Sequence, residues 1–166
     1  MLTALLIFAA AAPQTADPLA QARAGMVQCV MPNEAAKKCG GIASYKINAD
    51  GTFETATVLL IAPTPLITMT VNSTGMVKDG ALCGPVNKAE FAAAKIEMDG
   101  QPANEGVASA VRGQVGASVE AMDGKMSCGV EAADGTVTVT LDGVARPELS
   151  QKVKWVKPTD GYTLGQ

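Results

Sequence analysis

Residues 42–61 read IASYKINADGTFETATVLLI, and this stretch decides what kind of fold the chain can adopt. Two runs rich in β-branched and aromatic residues flank the tetrapeptide NADG at positions 48–51. Asn, Asp and Gly suit a tight turn with a left-handed residue at Gly51. The pattern therefore predicts a β-hairpin whose strands are residues 42–47 and 53–61.

Further strands are predicted on both sides of the middle of the chain. Residues 65–72, PLITMTVN, alternate apolar residues with Thr, which is typical of a half-buried strand. The tripeptides STG (73–75) and KDG (78–80) are turn signals that would isolate a short strand between them. Later segments with strand patterns are KMSCGVEA at 125–132, TVTVTLDG at 136–143 and QKVKWVK at 151–157.

Two consecutive helices are predicted between these groups of strands. The first covers residues 87–98, where Asn87 and Glu90 resemble a capping box, although its tail at 95–98 alternates and is equally compatible with a strand. The second covers residues 104–122, with apolar residues at helical spacing. The order predicts an α+β domain, in which an antiparallel sheet of about five to six strands carries two consecutive helices, inserted mid-chain and packed on one face.

The N-terminus predicts export. Residues 2–12 are apolar and are followed by Pro13, which is typical of a signal peptide over residues 1–16, cleaved near Ala11 or Ala16. A buried N-terminal helix is the alternative. Eleven apolar residues are too few to span a bilayer, so we expect no transmembrane anchor. We expect residues 17–28 to be a spacer and 29–166 a single disulfide-stabilised domain, periplasmic or secreted.

The expected periplasmic or secreted location determines how the four cysteines are interpreted. Cys29, Cys39, Cys83 and Cys128 make an even number, which in an oxidising compartment predicts two disulfides with three possible connectivities. Cys29–Cys39 and Cys83–Cys128 is the favoured pairing, because the first pair is local. A structural zinc site is disfavoured, since nine residues separate the first two cysteines and the chain has no histidine.

The absence of histidine also removes the commonest catalytic base, which excludes Ser-His-Asp and Cys-His catalysis. No motif indicates a cofactor or a catalytic residue, and we expect a non-catalytic protein. A net charge of −3 argues against nucleic acid as a partner. Hydrolase chemistry is one alternative, and its candidate residues are Ser44 with Lys46 and the carboxylates Glu90, Glu97, Asp99 and Glu105.

Charge is distributed unevenly near the C-terminus. Ten acids and four bases occupy residues 90–148 (−6), whereas three bases and one acid occupy residues 149–166 (+2). The candidate binding surface comprises Lys152, Lys154, Trp155 and Lys157, and its partner would be an anionic envelope component or a protein. Alternatively, these lysines balance the acidic region or protect an edge strand from aggregation.

Several segments resemble small exported, periplasmic proteins of alphaproteobacteria: KKCGGIASYKINADGTF, GALCG, DGVARPEL and VKWVKPTDGYTL. The resemblance implies export, and it implies no activity, cofactor or catalytic residue. We therefore expect an exported binding or cell-envelope domain. A small inhibitor of a secreted enzyme, presenting the Cys29–Cys39 loop as a preformed binding edge, is a further alternative.

Overall fold

The structure is a computed structural model that describes residues 17–165; the predicted signal peptide at 1–16 lies outside the described residues. The described part contains twelve strands. They are β1 Val27–Asn33, β2 Lys38–Ile47, β3 Thr52–Pro63, β4 Leu66–Lys78, β5 Ala81–Pro85, β6 Lys95–Met98, β7 Gln101–Pro102, β8 Met126–Glu131, β9 Thr136–Leu141, β10 Val144–Ala145, β11 Gln151–Val156 and β12 Thr163–Leu164. The α-helices are α1 Ala20–Arg23, α2 Lys88–Ala92 and α3 Glu105–Val119, and 3-10 turns cover Glu120–Met122, Pro147–Leu149 and Pro158–Asp160.

Eight of these strands form a closed ring. Their order is β1-β2-β3-β4-β5-β8-β9-β11, and β11 pairs again with β1. Every pairing around the ring is antiparallel. Strand β6 pairs with the first half of β4 and with β7, β10 pairs with β9, and β12 runs parallel to β2. Closure pairs the backbone groups that an open sheet would present at its edges.

The predicted α+β fold is wrong. In place of five to six strands with two packed helices, residues 17–165 form one twelve-stranded sheet and one substantial helix, α3, which continues into the 3-10 turn Glu120–Met122. That helix and the hairpin of β2 and β3 are confirmed. Of the first predicted helix, only the five residues of α2 are helical in the structure. The Asn87 side chain caps α2 by accepting from the Ala89 N–H.

The second half of that predicted helix is strand β6. Ile96 lies opposite Met69 of β4 and is 3% exposed, while Lys95 and Glu97 point away from it. Pairing with β4 and burial of Ile96 outweigh the helix propensity of the preceding alanines, because tertiary contacts override weak local preferences. The alternating tail was the signal for this strand.

The predicted turn at STG is absent, and β4 runs straight through Gly75. The ring of Phe53, from the facing strand, occupies the space of a side chain: a Cβ at Gly75 would lie 2.5 Å from Phe53 Cζ and 2.6 Å from the Cys83 carbonyl oxygen. Gly75 is thus a close-packing position in the strand. KDG does form a turn, with φ of 51° at Asp79 and 78° at Gly80.

We expect Gly75→Ala to lower the free energy of unfolding by about 1–3 kcal/mol, because backbone and an aromatic ring must move to admit the methyl group. Gly113→Ala is the matched control. Gly113 lies on the exposed side of α3, and a Cβ added there would have no neighbour within 4 Å, so alanine should raise stability by about 0.5–1 kcal/mol. Urea denaturation of both variants checks this; equal effects would contradict close packing at Gly75.

One face of the ring points inward, and the antiparallel register identifies it. Tyr45 lies opposite Thr55, Phe53 opposite Gly75, and Leu82 opposite Gly129, so all of these residues share that face. Met69 and Val71 continue the inner face toward one end, where they pack with Ala94, Ile96, Ala108 and Val111. Helix α3 therefore covers this end of the ring, which we call the helix end.

Both disulfides join the pairs favoured by the sequence. Cys83 and Cys128 are register partners on β5 and β8, with their Cα atoms 4.1 Å apart. Cys29 and Cys39 link β1 to β2 with a Cα separation of 5.4 Å, and both are fully buried.

The predicted spacer, residues 17–28, belongs to the folded unit: it contains α1 and the start of β1, and Leu19 is fully buried.

Candidate ligand-binding cavity

Two adjoining cavities of about 270 and 200 Å³ lie along the inner face of the ring. Both are lined by Tyr45, Leu82 and Ser127, so these three side chains form the wall between them. The larger cavity extends to Phe53 and to α2 near the helix end. An eight-stranded ring is just wide enough to be filled by side chains or to hold one small ligand, and here short side chains leave room for the latter.

Tyr45 lies at the centre of this region. Its ring centroid is 5.8 Å from that of Phe53 in an edge-to-face arrangement and 5.5 Å from that of Trp155. The phenol donates a hydrogen bond to Gln28 Oε1 at 2.9 Å, and Gln28 is only 8% exposed. Three neighbouring strands, β1, β2 and β11, thus hold one aromatic and polar cluster on the inner face.

Burial raises the pKa of the Tyr45 phenol to about 12, and the nearby negative charge of Glu131 adds to the shift. The phenol is therefore neutral at physiological pH. It can act as a hydrogen-bond donor, and it cannot act as a base.

We expect Tyr45→Phe to cost about 1–3 kcal/mol of stability at pH 7, because it leaves the buried Gln28 oxygen without its donor. The difference from wild type should shrink between pH 10 and about 12. In that window the unfolded tyrosine ionises before the folded one, so wild-type stability falls as pH rises, whereas phenylalanine does not titrate. Urea denaturation at pH 7, 10 and 11.5 measures this; a constant difference would contradict a buried, protonated phenol.

Glu131 and Trp155 lie at the end of the ring opposite the helix end. Glu131 is the last residue of β8, and its Oε2 accepts a hydrogen bond of 2.9 Å from the Trp155 indole N–H. Here β9 and β11 pair only through Gln151 opposite Val137 and Lys152 opposite Thr136. The ring is joined least at this seam, so the Trp155–Glu131 contact bridges a gap between strands.

An outer groove of about 590 Å³ runs along the same seam. It shares Glu131 and Val153 with the smaller inner cavity. The groove and the smaller inner cavity therefore meet at Glu131, whose carboxylate stands at their junction.

The structure divides the predicted C-terminal binding surface between two faces. Lys152 pairs with Asp134 at 2.7 Å, and Lys154 pairs with Glu34. Hydrogen bonds from Lys152 and from Thr136 hold the pKa of Asp134 below its usual range. Trp155 lies on the opposite face of β11 but lines the outer groove together with both lysines, while Lys157 is exposed beyond the end of β11. The basic surface remains a prediction, but its first two lysines already have carboxylate partners.

The candidate hydrolase residues are dispersed. Ser44 and Lys46 lie on the outer face of β2, in a groove of about 400 Å³; Ser44 Oγ donates to the Ala56 carbonyl at 3.3 Å and Lys46 pairs with Glu54 at 3.1 Å. Glu90 lines the larger inner cavity. The remaining carboxylates lie elsewhere: Glu97 pairs with Lys95, Asp99 accepts from the Leu66 N–H, and Glu105 lies at the start of α3 near Arg112. They do not converge on one site.

Three further observations bear on the site. Among residues 17–165, no cluster of three or more His, Cys, Asp or Glu is placed to hold a metal ion. In the same range, no helix is long and apolar enough to cross a membrane. In comparisons with known proteins, no family model, no curated protein and no solved structure matches the chain.

Sequence reasoning singled out Trp155 and missed its partners Gln28, Tyr45 and Glu131 as site residues. Gln28 and Tyr45 lie on β1 and β2, which pair directly, whereas Trp155 and Glu131 lie on β11 and β8, and ring closure is needed to bring β11 beside β1. The sequence contained one local signal. Gln28 and Tyr45 stand at strand positions whose side chains point inward, and polar side chains that are buried there need hydrogen-bond partners.

Proposed function

We propose that the protein is an exported, non-catalytic binding protein that holds a small ligand inside the ring of strands. The observation that carries this proposal is the pair of adjoining inner cavities, whose linings combine aromatic and aliphatic side chains with hydroxyl, amide and carboxylate groups. Ligand sites commonly have this composition, with isolated polar groups that fix orientation. Two disulfides fit a protein of an oxidising compartment, periplasmic or extracellular.

Binding is favoured over catalysis by the chemistry of the lining. The Tyr45 phenol is held in its protonated form by burial, which raises its pKa, so it is a poor base and nucleophile. Ser127 lines both cavities, but neither lining contains the lysine or histidine that could activate it. The lining can orient a ligand by hydrogen bonds and stacking.

The test uses the single tryptophan, Trp155, which lies beside Tyr45 at the cavity. N-phenyl-1-naphthylamine, a neutral apolar fluorophore, should bind and accept excitation energy from Trp155. Ser127→Leu places a larger side chain in the wall shared by both cavities and should abolish binding. Ser44→Leu makes the same change on the outer face and should leave binding intact.

Each outcome decides between the two surfaces. Binding lost in Ser127→Leu and retained in Ser44→Leu supports the inner cavity. The reverse pattern would place the site in the outer groove near Ser44, and no binding to the wild-type protein would overturn the proposal. Circular dichroism melting of both variants verifies that each is folded.

A further inference from the structure

We infer, on the basis of the proposed function, that the ligand is a small organic cation, an amine or quaternary ammonium, whose charged group lies beside Glu131 and Tyr45 in the smaller inner cavity, next to the groove that Trp155 lines. Three features support this assignment: the charge of the cavity lining, the ion pairing of the groove, and the placement of the aromatic rings.

The lining of the two inner cavities is acidic. Glu131 lines the smaller cavity and Glu90 the larger one, and no Lys or Arg lines either of them. Both carboxylates lack a Lys or Arg nitrogen within 4.0 Å in the described part of the chain. An anionic ligand would therefore meet repulsion with no compensating positive charge, whereas a cation would be attracted.

The groove outside the seam leads to the same conclusion. Three carboxylates line it, and two of them are already paired: Asp134 with Lys152 and Glu34 with Lys154. Glu131, at the junction of groove and cavity, instead accepts the neutral Trp155 N–H. A carboxylate that accepts from a neutral donor is not part of an ion pair, and its second oxygen is available to a cationic partner.

The aromatic rings complete the site. The hydrogen bond to Glu131 fixes the indole of Trp155, and its ring centroid is 5.5 Å from that of Tyr45. A cation within about 6 Å of an aromatic face is attracted by the ring quadrupole, most strongly by Trp. Tyr45 and Glu131 both line the smaller inner cavity, and Trp155 lines the adjoining groove, which shares Glu131 with that cavity. The carboxylate therefore lies between the two aromatic rings that a cation would contact.

The experiment compares phenyltrimethylammonium with tert-butylbenzene, an isosteric neutral molecule, by displacement of N-phenyl-1-naphthylamine and by calorimetry. The wild-type protein should prefer the cation by roughly tenfold or more. Glu131→Gln should remove most of that preference and leave the affinity for tert-butylbenzene unchanged. Glu54→Gln is the matched control, because Glu54 is exposed on the outer face of β3.

The outcomes separate this inference from the proposed function. If the fluorophore binds but both molecules displace it equally, or the cation does not displace it, the cavity binds ligands and the cation preference is overturned. The cation preference is likewise overturned if Glu54→Gln weakens cation binding as much as Glu131→Gln does. If neither the fluorophore nor either molecule binds, the proposed function itself fails. Cation preference lost only in Glu131→Gln supports the assignment.

Discussion

We expect the replacement of both Cys83 and Cys128 by alanine to lower the free energy of unfolding by about 4 kcal/mol. The crosslink spans 45 residues of sequence, and without it the unfolded chain regains the conformational entropy that the closed loop had removed. The native strands need little adjustment, since the two residues remain register partners on β5 and β8. Against a typical domain stability of about 5–15 kcal/mol, the change is large. Guanidinium denaturation of the double variant measures it.

The matched comparison is the double replacement of Cys29 and Cys39 by alanine. This bridge spans 10 residues of sequence, and its removal should cost about 3 kcal/mol by the same chain-entropy argument. An unfolding free energy that changes by less than about 1 kcal/mol on loss of Cys83–Cys128 would show that the β5–β8 pairing persists in the unfolded chain and would contradict the argument.

Met69→Ala is expected to cost about 2–5 kcal/mol. Met69 is fully buried on the inner face of β4, opposite Ile96, and belongs to the cluster that joins α3 to the ring. Removing its side chain loses buried apolar surface and leaves a cavity between helix and sheet. Urea denaturation followed by circular dichroism measures the effect.

Met76→Ala provides the control within the same strand. Met76 points to the outer face and is 45% exposed, so its replacement should change stability by no more than about 0.5 kcal/mol. A similar loss in both variants would mean that β4 is destabilised generally, and the assignment of Met69 to the contact between helix and ring would then be refuted.

The residues of the tight turns allowed many of the strands to be predicted. The turns at NADG, KDG and the segment before Thr136 all lie between paired strands, because Asp and Gly supply the backbone angles that a tight turn requires. Helix α3 was predictable from its apolar spacing, and the structure adds a cap at its start, where the Asn104 side chain accepts from the Val107 N–H. These features depend on neighbours in sequence.

Ring closure was not predictable in the same way. It depends on β1 pairing with β11, where Gln28 lies opposite Trp155, more than 120 residues away in the chain. No local pattern encodes such a pairing. An open sheet covered by a layer of helices would show the same alternation of apolar and polar residues, so the alternation does not distinguish it from a closed ring. Part of the candidate site was missed for the same reason: Gln28 and Tyr45 meet through the pairing of β1 with β2, but ring closure is needed to bring Trp155 and Glu131 to them.

The segment between β5 and β8 leaves the ring and returns to it at adjacent points. Pro85 lies opposite Met126, and the Val86 N–H donates to the Lys125 carbonyl at 2.8 Å. A tight turn could therefore replace residues 86–125 without altering the path of either strand. The forty residues that carry α2, β6 and α3 are thus an insertion between two strands that already pair with each other, and evolution can change their length and sequence without breaking any pairing of the eight-stranded ring.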